Sequence, residues 1–189
     1  MEHRIQTPLT KHKASAIRSG DTVYFSGMIY TARDAAHKRF IELLDAGKEL
    51  PFPIEDAVIY YTGPTPAKPG HVIGAAGPTT SYRMDAYTPT LLQLGLRGMI
   101  GKGRRSLDVV NAMKEAGAVY FGAIGGAGAL LASRIKTCEP IAFRDLGPEA
   151  VHRLIVDEFP VVAIIDAAGG NLYETGRAAY LNSIKPNPL

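Results

Sequence analysis

The segment GPTTSYRMD, residues 77–85, holds the residue types with the most potential for chemistry. It places three adjacent hydroxyl side chains and an arginine behind a Gly-Pro turn. Thr79 and Arg83 are four positions apart, so they would share one face if the segment opens a helix. The start of a helix attracts anions, because its backbone N–H groups are unpaired and its dipole is positive there. The segment is therefore a candidate anion site, with helix capping by Thr79 and Thr80 as the alternative.

Two further basic segments, YTARDAAHKR (residues 30–39) and GKGRR (residues 101–105), also follow apolar stretches. Arg33 lies just inside a predicted helix start, where its forked guanidinium suits a carboxylate; a surface salt bridge is the alternative. Lys102 lies between two glycines, which let the backbone fold around a bound group; a solvated loop lysine is the alternative. Three basic strand-to-helix junctions in one short chain suggest a single site for a small polyanion.

Several other charged, histidine and glycine residues fit ordinary structural roles. Asp34 is a first-turn carboxylate that complements the helix dipole, and we predict that His37, on the surface of the same helix, is solvated. Arg104 and Arg105 are predicted to form a solvated helix entry. The glycine-rich stretch GAIGGAG, residues 122–128, lacks the dinucleotide-binding spacing and any following Lys-Ser/Thr pair. It predicts a tight turn that allows close backbone approach. A substrate-contacting loop and a nucleotide site are the alternatives.

The composition excludes several classes of protein. With 189 residues, 46% hydrophobic and 21% charged, the chain fits one soluble domain with a real core. A net charge of +3 without a long basic run argues against nucleic-acid binding. Cys138, the single cysteine, is interpreted as a small semi-buried hydrophobe, since one thiol cannot form an internal disulfide or hold a metal centre alone. No apolar run approaches the ~20 residues that span a bilayer, and residues 1–13 are polar, so we expect a cytoplasmic protein.

The hydrophobic pattern predicts an α/β fold with strands and helices in alternation. Strands are predicted at residues 4–9, 22–29, 57–61, 71–75, 97–100, 118–121, 135–138 and 160–166. Helices are predicted from Thr10 and at residues 32–46, 81–94 (interrupted by Pro89), 107–115, 126–134 and 148–156. The irregular early strands favour a mixed β/β/α layering over a simple doubly wound sheet. We predict one domain over residues 1–170 and a tail over 171–189 that packs on a surface or is disordered.

Three motifs together resemble one known family. GMIYTARDAAHKR, GPTTSYRMDAYTPTLL and GMIGKG, in this order and spacing, are similar to the β subunit of class I iron–sulfur fumarate hydratases. The same region forms the C-terminal domain of single-chain versions, and the L(+)-tartrate dehydratase β subunit shares the motifs. The resemblance extends from about Arg4 to Gly170. It implies a swivelling β/β/α domain with a mixed sheet flanked by helices.

The resemblance also implies that this chain is half of an enzyme. The resemblance implies a partner α subunit that holds a 4Fe–4S cluster on three cysteines, and a heterotetramer of two α and two β subunits. Arg33, Arg83 and Lys102 match positions that bind the carboxylates of a four-carbon dicarboxylate, and Thr79 matches the proposed base. The implied function is interconversion of fumarate and L-malate. The alternatives are an L(+)-tartrate dehydratase β subunit, which gives oxaloacetate, and a non-catalytic dicarboxylate-binding domain.

Overall fold

Seven strands form a mixed sheet in the computed structural model, which describes residues 1–123 and 126–183. Along the sheet the order is β1-β2-β3-β4-β5-β7-β6. The strands are β1 Glu2–Gln6, β2 Thr22–Thr31, β3 Val58–Tyr60, β4 Gly98–Gly101, β5 Val119–Gly122, β6 Ile135–Ala142 and β7 Val151–Ile165.

A second pairing closes part of this sheet into a barrel. β2, β3, β4 and β5 are parallel neighbours, and β7 pairs antiparallel with both β5 and β2. These five strands therefore form a closed, barrel-like arrangement, while β1 extends β2 and β6 extends β7 at its margins. The mixed layering predicted from the sequence is confirmed.

Six α-helices and two 3-10 helices flank the sheet within the described residues. The α-helices are α1 Lys11–Ser15, α2 Asp34–Asp45, α3 Thr88–Gln93, α4 Leu107–Ala116, α5 Gly128–Ser133 and α6 Leu172–Ser183. The 3-10 helices are Ser81–Met84 and Arg144–Glu149. The predicted cap of Thr10 is confirmed, since its hydroxyl accepts a hydrogen bond from the Lys13 N–H. Pro89 lies in the first turn of α3, which explains why the predicted helix over residues 81–94 is divided.

Alternate residues of the strands feed two apolar clusters, one on each face of the sheet. In β3, Val58 and Tyr60 belong to one cluster. Ile59 and the following Tyr61 belong to the other, which α2, α3 and α4 cover with residues such as Phe40, Leu91 and Met113. This alternation follows the period of two in a strand. It places the Tyr61 side chain beneath the helical layer.

Two predicted elements are wrong. Residues 71–75 form no strand; they belong to a loop in which Ala75 and Thr65 bond to each other, as the Pro and Gly content of residues 62–70 favours. Residues 148–156, predicted as a helix, lie mostly in β7. Leu154 and Val156 are buried with the period of a strand, and pairing with β2 on one side and β6 on the other outweighs the local pattern.

The region after Gly170 contains a helix. Leu172 and Tyr173, at the start of α6, pack against the helix-covered cluster, whereas Tyr180 and Leu181 are exposed. The domain boundary at residue 170 and packing of the tail on a neighbouring surface stay predictions, and residues 184–189 of that tail lie outside the described residues. Within the described ranges, none of the helices has the length and apolar character needed to cross a bilayer.

Candidate functional site

The carboxyl ends of β2, β3 and β4 bring the predicted site residues to one edge of the sheet. These strands are parallel neighbours, so their carboxyl ends meet at the same edge, where ligands commonly bind in α/β proteins. Arg33 follows β2, and Lys102 follows β4 directly. Thr79 reaches the end of β3 through its backbone, since its N–H donates to the carbonyl oxygen of Tyr61 at 2.7 Å. The backbones of Arg33, Thr79 and Lys102 are thus placed by adjacent strand ends.

Arg33 is the N-cap residue of α2 and is held between acidic groups. Its Nη2 lies 3.0 Å from Glu149 Oε1 and 3.6 Å from Asp34 Oδ1, and its side chain is 21% exposed. The guanidinium passes close to Gly63, where an added Cβ would lie 3.1 Å from Nη1 and 3.2 Å from the Pro148 carbonyl oxygen. A larger residue at position 63 would therefore displace the arginine.

Arg83 shares a carboxylate with Arg33. It lies in the Ser81–Met84 helix with a side chain 47% exposed, and its Nη1 is 4.0 Å from Asp34 Oδ1. Asp34 is in the first turn of α2, as predicted from its position. Its Oδ1 atom faces both guanidinium groups, so the two arginines are close in space although fifty positions apart in the sequence.

Thr79 and Arg83 do not share a helix face, contrary to the sequence prediction. The helix that contains Arg83 begins at Ser81 and has 3-10 geometry, so Thr79 precedes it in irregular backbone. Thr80 pairs with Lys102 in an isolated parallel bridge, which draws the segment toward the end of β4 instead. Thr79 is half-buried, and its position depends on Tyr61 rather than on a helical turn.

The segment that leads to Thr79 is anchored by β3 and by the glycine-rich turn. The Thr62 hydroxyl donates to the Gly77 carbonyl at 2.8 Å, and the Ala76 N–H donates to the Gly128 carbonyl at 3.2 Å. An added Cβ on Gly128 would lie 3.1 Å from the Gly77 nitrogen, so the predicted close backbone approach is present at this end of the turn. Residues 124–125 of the GAIGGAG stretch lie outside the described residues.

Lys102 is held by a closed set of hydrogen bonds around Ser81. The Lys102 N–H donates to Ser81 Oγ at 3.1 Å, and the Ser81 N–H donates to the Lys102 carbonyl at 2.9 Å. Ser81 Oγ lies 2.9 Å from the Tyr120 hydroxyl, which donates to the Gly103 carbonyl at 2.8 Å. An added Cβ on Gly101 would lie 2.0 Å from Ser81 Oγ, so glycine is required for this approach. The Lys102 side chain is exposed and makes no ion pair with any described residue.

Arg105 is buried, which overturns its interpretation as part of a solvated helix entry. Its side chain is 0% exposed, with Nε 2.7 Å from Asp85 Oδ1 and Nη2 2.8 Å from the Thr88 hydroxyl. The guanidinium also lies over the rings of Tyr61 and Tyr120, at 5.5 and 5.2 Å from their centroids. Its carboxylate partner is twenty positions away, so no local signal in the sequence identifies this pair. Arg104, by contrast, is exposed as predicted.

His37 is also buried, so the prediction that it is solvated is wrong. Its ring Nδ1 lies 2.8 Å from the Arg33 carbonyl oxygen, and its ring packs edge-on against Tyr61. Burial, above all, lowers the pKa of His37 to about 4. The helical spacing of Ala36, His37 and Phe40, all buried, was the sequence signal that would have placed the histidine inward.

Among the described residues, five buried polar side-chain atoms have no hydrogen-bond partner. Their side chains lie at the start of α2 or in contact with it. The five atoms are Arg33 Nε, Asp34 Oδ1, His37 Nε2, Tyr61 Oη and Glu149 Oε2. Buried polar groups in proteins are normally paired, so such atoms call for a functional or solvent explanation. Arg33 and Arg83 lie within 4.0 Å of one or both of two carboxylates, Asp34 and Glu149, while the exposed Lys102 side chain adds a positive charge with no ion-pair partner among the described residues. The arrangement suits a small anion.

The residues described here do not fit an iron–sulfur cluster. Cys138 is half-buried in β6, where burial raises the pKa of its thiol, and cluster binding requires several thiolates. Among residues 1–123 and 126–183 there is no group of three His, Cys, Asp or Glu side chains placed to hold a metal ion. A groove of about 580 Å³ between residues 65–75 and α5 contains none of the four candidate site residues.

Comparisons with known proteins place this chain in a family. A family model described as the fumarase C-terminus matches residues 2–176. The chain is 42% identical over 151 residues to a protein from Escherichia coli named fumarate hydratase class I, anaerobic, which covers 79% of this chain but 28% of that protein. It is 35% identical over 175 residues to a putative class I fumarate hydratase of Geobacillus stearothermophilus, which covers 90% of this chain and 33% of that protein.

A relative of similar length also exists. A protein from Methanocaldococcus jannaschii named putative L(+)-tartrate dehydratase subunit beta is 38% identical over 172 residues, with 88% of each chain covered. The chain thus spans about a third or less of the two fumarate hydratases named above, and nearly all of this separate subunit. With a family model that covers most of its length, the chain belongs to the family of fumarase C-terminal domains.

Proposed function

We propose that this chain is the β subunit of an iron–sulfur hydro-lyase that interconverts fumarate and L-malate, active only with an α subunit. The names of its relatives in Escherichia coli and Geobacillus stearothermophilus support the reaction class. The name of the Methanocaldococcus jannaschii relative, a subunit beta, supports a role beside a partner chain. The α subunit would complete the active site at the edge of the sheet that bears Arg33, Arg83 and Lys102.

The observation that carries this proposal is the meeting of Arg33 and Arg83 at Asp34 Oδ1, at the same edge of the sheet as the strand end that precedes Lys102. A four-carbon dicarboxylate carries two negative charges, and guanidinium groups bind carboxylates through two parallel hydrogen bonds. The side chains of Arg83 and Lys102 are exposed and able to reach such a ligand. Arg33, Arg83 and Lys102 would neutralise and orient the substrate, which lowers the entropic part of the barrier.

Thr79 would remove the C3 proton of malate. A threonine hydroxyl is a poor base in water, so this role requires that neighbouring cations favour its alkoxide and that a partner surface excludes water. The half-buried position of Thr79, with its backbone held by Tyr61, suits a group that must keep its place during proton transfer. The cations would also stabilise the charge that develops on the substrate carboxylate as the proton leaves.

The 4Fe–4S cluster would belong to the α subunit. This chain offers one cysteine, and its candidate site consists of arginine, lysine, threonine and carboxylate groups. In the α subunit, the cluster would supply Lewis-acid chemistry toward the substrate hydroxyl. We propose that two α and two β subunits assemble, with each active site at an α/β junction that covers the exposed cations.

A second candidate is the β subunit of an L(+)-tartrate dehydratase. It is favoured by the reciprocal 88% coverage with the relative of that name. The cations suit any four-carbon dicarboxylate, so charge alone does not separate the two substrates. A third candidate, a dicarboxylate-binding domain without catalytic activity, differs in that the pure chain would bind malate tightly by itself.

An assay of the assembled protein separates these candidates. The chain is purified anaerobically together with an α subunit that carries three cysteines, and hydration of fumarate and dehydration of L(+)-tartrate are measured side by side. We expect turnover of fumarate by the complex and none by the chain alone. Turnover of tartrate with none of fumarate would replace the first candidate by the second. Tight malate binding by the isolated chain, with no turnover in any complex, would favour the third.

A further inference from the structure

His37 makes two hydrogen bonds to a single acceptor at the start of α2. Its backbone N–H and its ring Nδ1 each lie 2.8 Å from the carbonyl oxygen of Arg33. Because a carbonyl oxygen only accepts, Nδ1 carries the hydrogen and donates it. Arg33 itself is extended and has no side-chain capping bond. The imidazole therefore adds a second restraint to the backbone from which the Arg33 side chain extends.

The same ring contacts Tyr61, the residue that positions Thr79. The two ring centroids are 5.4 Å apart, and their planes meet at 72°. The Tyr61 backbone accepts from Thr79 N–H at 2.7 Å and donates to the Ile100 carbonyl at 2.8 Å. A shift of the Tyr61 ring would be transmitted to this short stretch of backbone. His37 thus lies against both the residue that bears a candidate cation and the residue that holds the candidate base.

Packing alone does not explain a histidine at this position. His37 is fully buried beside the rings of Phe40, Tyr61 and Tyr87, and its Nε2 atom has no hydrogen-bond partner among the described residues. A phenylalanine would fill a similar space without leaving a buried nitrogen unpaired, which weakens a folded protein. The feature that phenylalanine lacks is the Nδ1–H donor to Arg33.

The surroundings of His37 keep its ring neutral. Burial lowers its pKa to about 4, and the charge of Arg105 acts in the same direction. The hydrogen bond to Arg33 and the charge of Asp34 act in the opposite direction but are weaker. Tyr61 and Tyr87 are the other titratable groups that face the ring. Near neutral pH the ring is therefore a donor at Nδ1 and an acceptor at Nε2.

We infer that His37 is a positioning residue that joins the two parts of the site, orienting Arg33 through its Nδ1–H group and Thr79 through the ring of Tyr61. The inference rests on the proposed function for the roles of Arg33 and Thr79. It predicts that the two connections can be separated, because one depends on a hydrogen-bond donor and the other on an aromatic ring.

Two substitutions test the connections one at a time in the assembled enzyme. His37→Phe keeps a ring against Tyr61 but loses the donor, so KM for the dicarboxylate should rise about tenfold while kcat changes less than about threefold. His37→Asn keeps a short amide donor for Arg33 but loses the ring, so kcat should fall about tenfold with KM changed less than about threefold. Lys38→Ala, on the exposed side of the same helix, is the matched control.

A purely structural role would give a different pattern. Both variants would then lower the amount of folded enzyme and reduce apparent kcat together, with KM unchanged. That result, or kinetic constants within about twofold of wild type for both variants, would overturn the inference. Melting temperatures of each variant, measured on the same samples, separate loss of folded protein from loss of positioning.

NMR of the full-length ¹⁵N-labelled chain provides a readout that does not depend on activity. The His37 ring should carry its proton on Nδ1, with Nε2 unprotonated at neutral pH. His37→Phe should shift the Arg33 Nε signal and leave the Thr79 amide in place, and His37→Asn should do the reverse. A proton on Nε2, or shifts in neither signal, would overturn the inference even in an active enzyme. If these shifts appear but no complex turns over a dicarboxylate, the proposed function fails and the positioning stands.

Discussion

Ser81 and Lys102 exchange two hydrogen bonds, which join the start of the helix bearing Arg83 to the turn after β4. The Ser81 hydroxyl continues the network to Tyr120, and Tyr120 donates to the carbonyl oxygen of Gly103. Buried protein groups therefore hold the backbone of Lys102 against the start of the helix that bears Arg83. Such preorganisation lowers the cost of ordering a charged site when substrate binds.

Ser81→Ala should weaken both the fold and the site. The substitution leaves the Lys102 N–H without its side-chain acceptor and removes one of the two hydrogen-bond partners of the Tyr120 hydroxyl, which should lower the free energy of unfolding by about 1–3 kcal/mol. Urea denaturation measures this change. Ser133→Ala is the matched control, because the Ser133 hydroxyl is exposed and bonds only to the Leu130 carbonyl among the described residues. Equal stability of the two variants would contradict a structural role for the network.

Thr79→Ala should remove most of the activity of the assembled enzyme. Loss of a proton-transferring group commonly lowers kcat by about 100-fold or more. Thr80→Ala is a close control, since Thr80 is the adjacent hydroxyl residue and its side chain makes no capping bond. We expect Thr80→Ala to stay within about threefold of wild type. A Thr79→Ala enzyme with near wild-type kcat would show that another group is the base.

Arg83→Lys should be damaging although it preserves the charge. Lysine cannot form the paired, planar hydrogen bonds that guanidinium makes with a carboxylate. We expect kcat/KM to fall by an amount equivalent to about 1.5–3 kcal/mol of transition-state stabilisation. Arg104→Lys, at a neighbouring exposed arginine, provides the comparison. If both substitutions have the same small effect, Arg83 acts only through its charge.

The sequence predicts the elements that depend on local signals. Thr10 and Pro89 mark a helix start and a helix division that the structure confirms, because capping and the missing proline N–H act within a few residues. The local pattern does not indicate the first half of β7, because residues 151–156 are extended through pairing with β2, which is far away in the sequence, and with β6. That pairing cannot be read from a local window.

The candidate site shows the same division. Arg33, Thr79, Arg83 and Lys102 were chosen from motifs, and the parallel strand ends bring their segments together. His37 and Arg105 are predicted to be solvated when their partners in the fold are left out. Their burial depends on partners elsewhere: Tyr61 for the histidine, and Asp85 for the arginine.

Arg105→Met should destabilise the chain through the carboxylate it leaves behind. Asp85 is 13% exposed and has Arg105 as its ion-pair partner among the described residues. Removing one member of a buried pair typically costs about 3–5 kcal/mol of unfolding free energy. The double variant Arg105→Met with Asp85→Asn should recover part of this loss. Thermal unfolding of the two variants side by side checks the prediction, and equal destabilisation would contradict it.

Mild acidification should destabilise the wild-type chain, chiefly through His37. The pKa of His37 is lowered by burial from 6.5 to about 4, so the folded state favours the neutral ring. The contribution of His37 to stability is therefore complete above pH 6.5 and falls as the pH drops from 6.5 toward 4, by about 3 kcal/mol in total. His152, half-buried with a lowered pKa, acts in the same direction. The pKa of Asp21 is also lowered, chiefly by its hydrogen bond to the N-terminal ammonium, but its effect lies below pH 3.8.

Urea denaturation at pH 7.5, 6.0 and 4.5 separates the contribution of His37 from the others. His37→Phe removes the titrating group and keeps an aromatic ring in the same place, so its free energy of unfolding should fall much less over this range than that of wild type. His152 contributes to the remaining slope, so a His152→Asn variant should flatten it further. If His37→Phe and wild type lose stability in parallel between pH 6.0 and 4.5, His37 is not held neutral by burial.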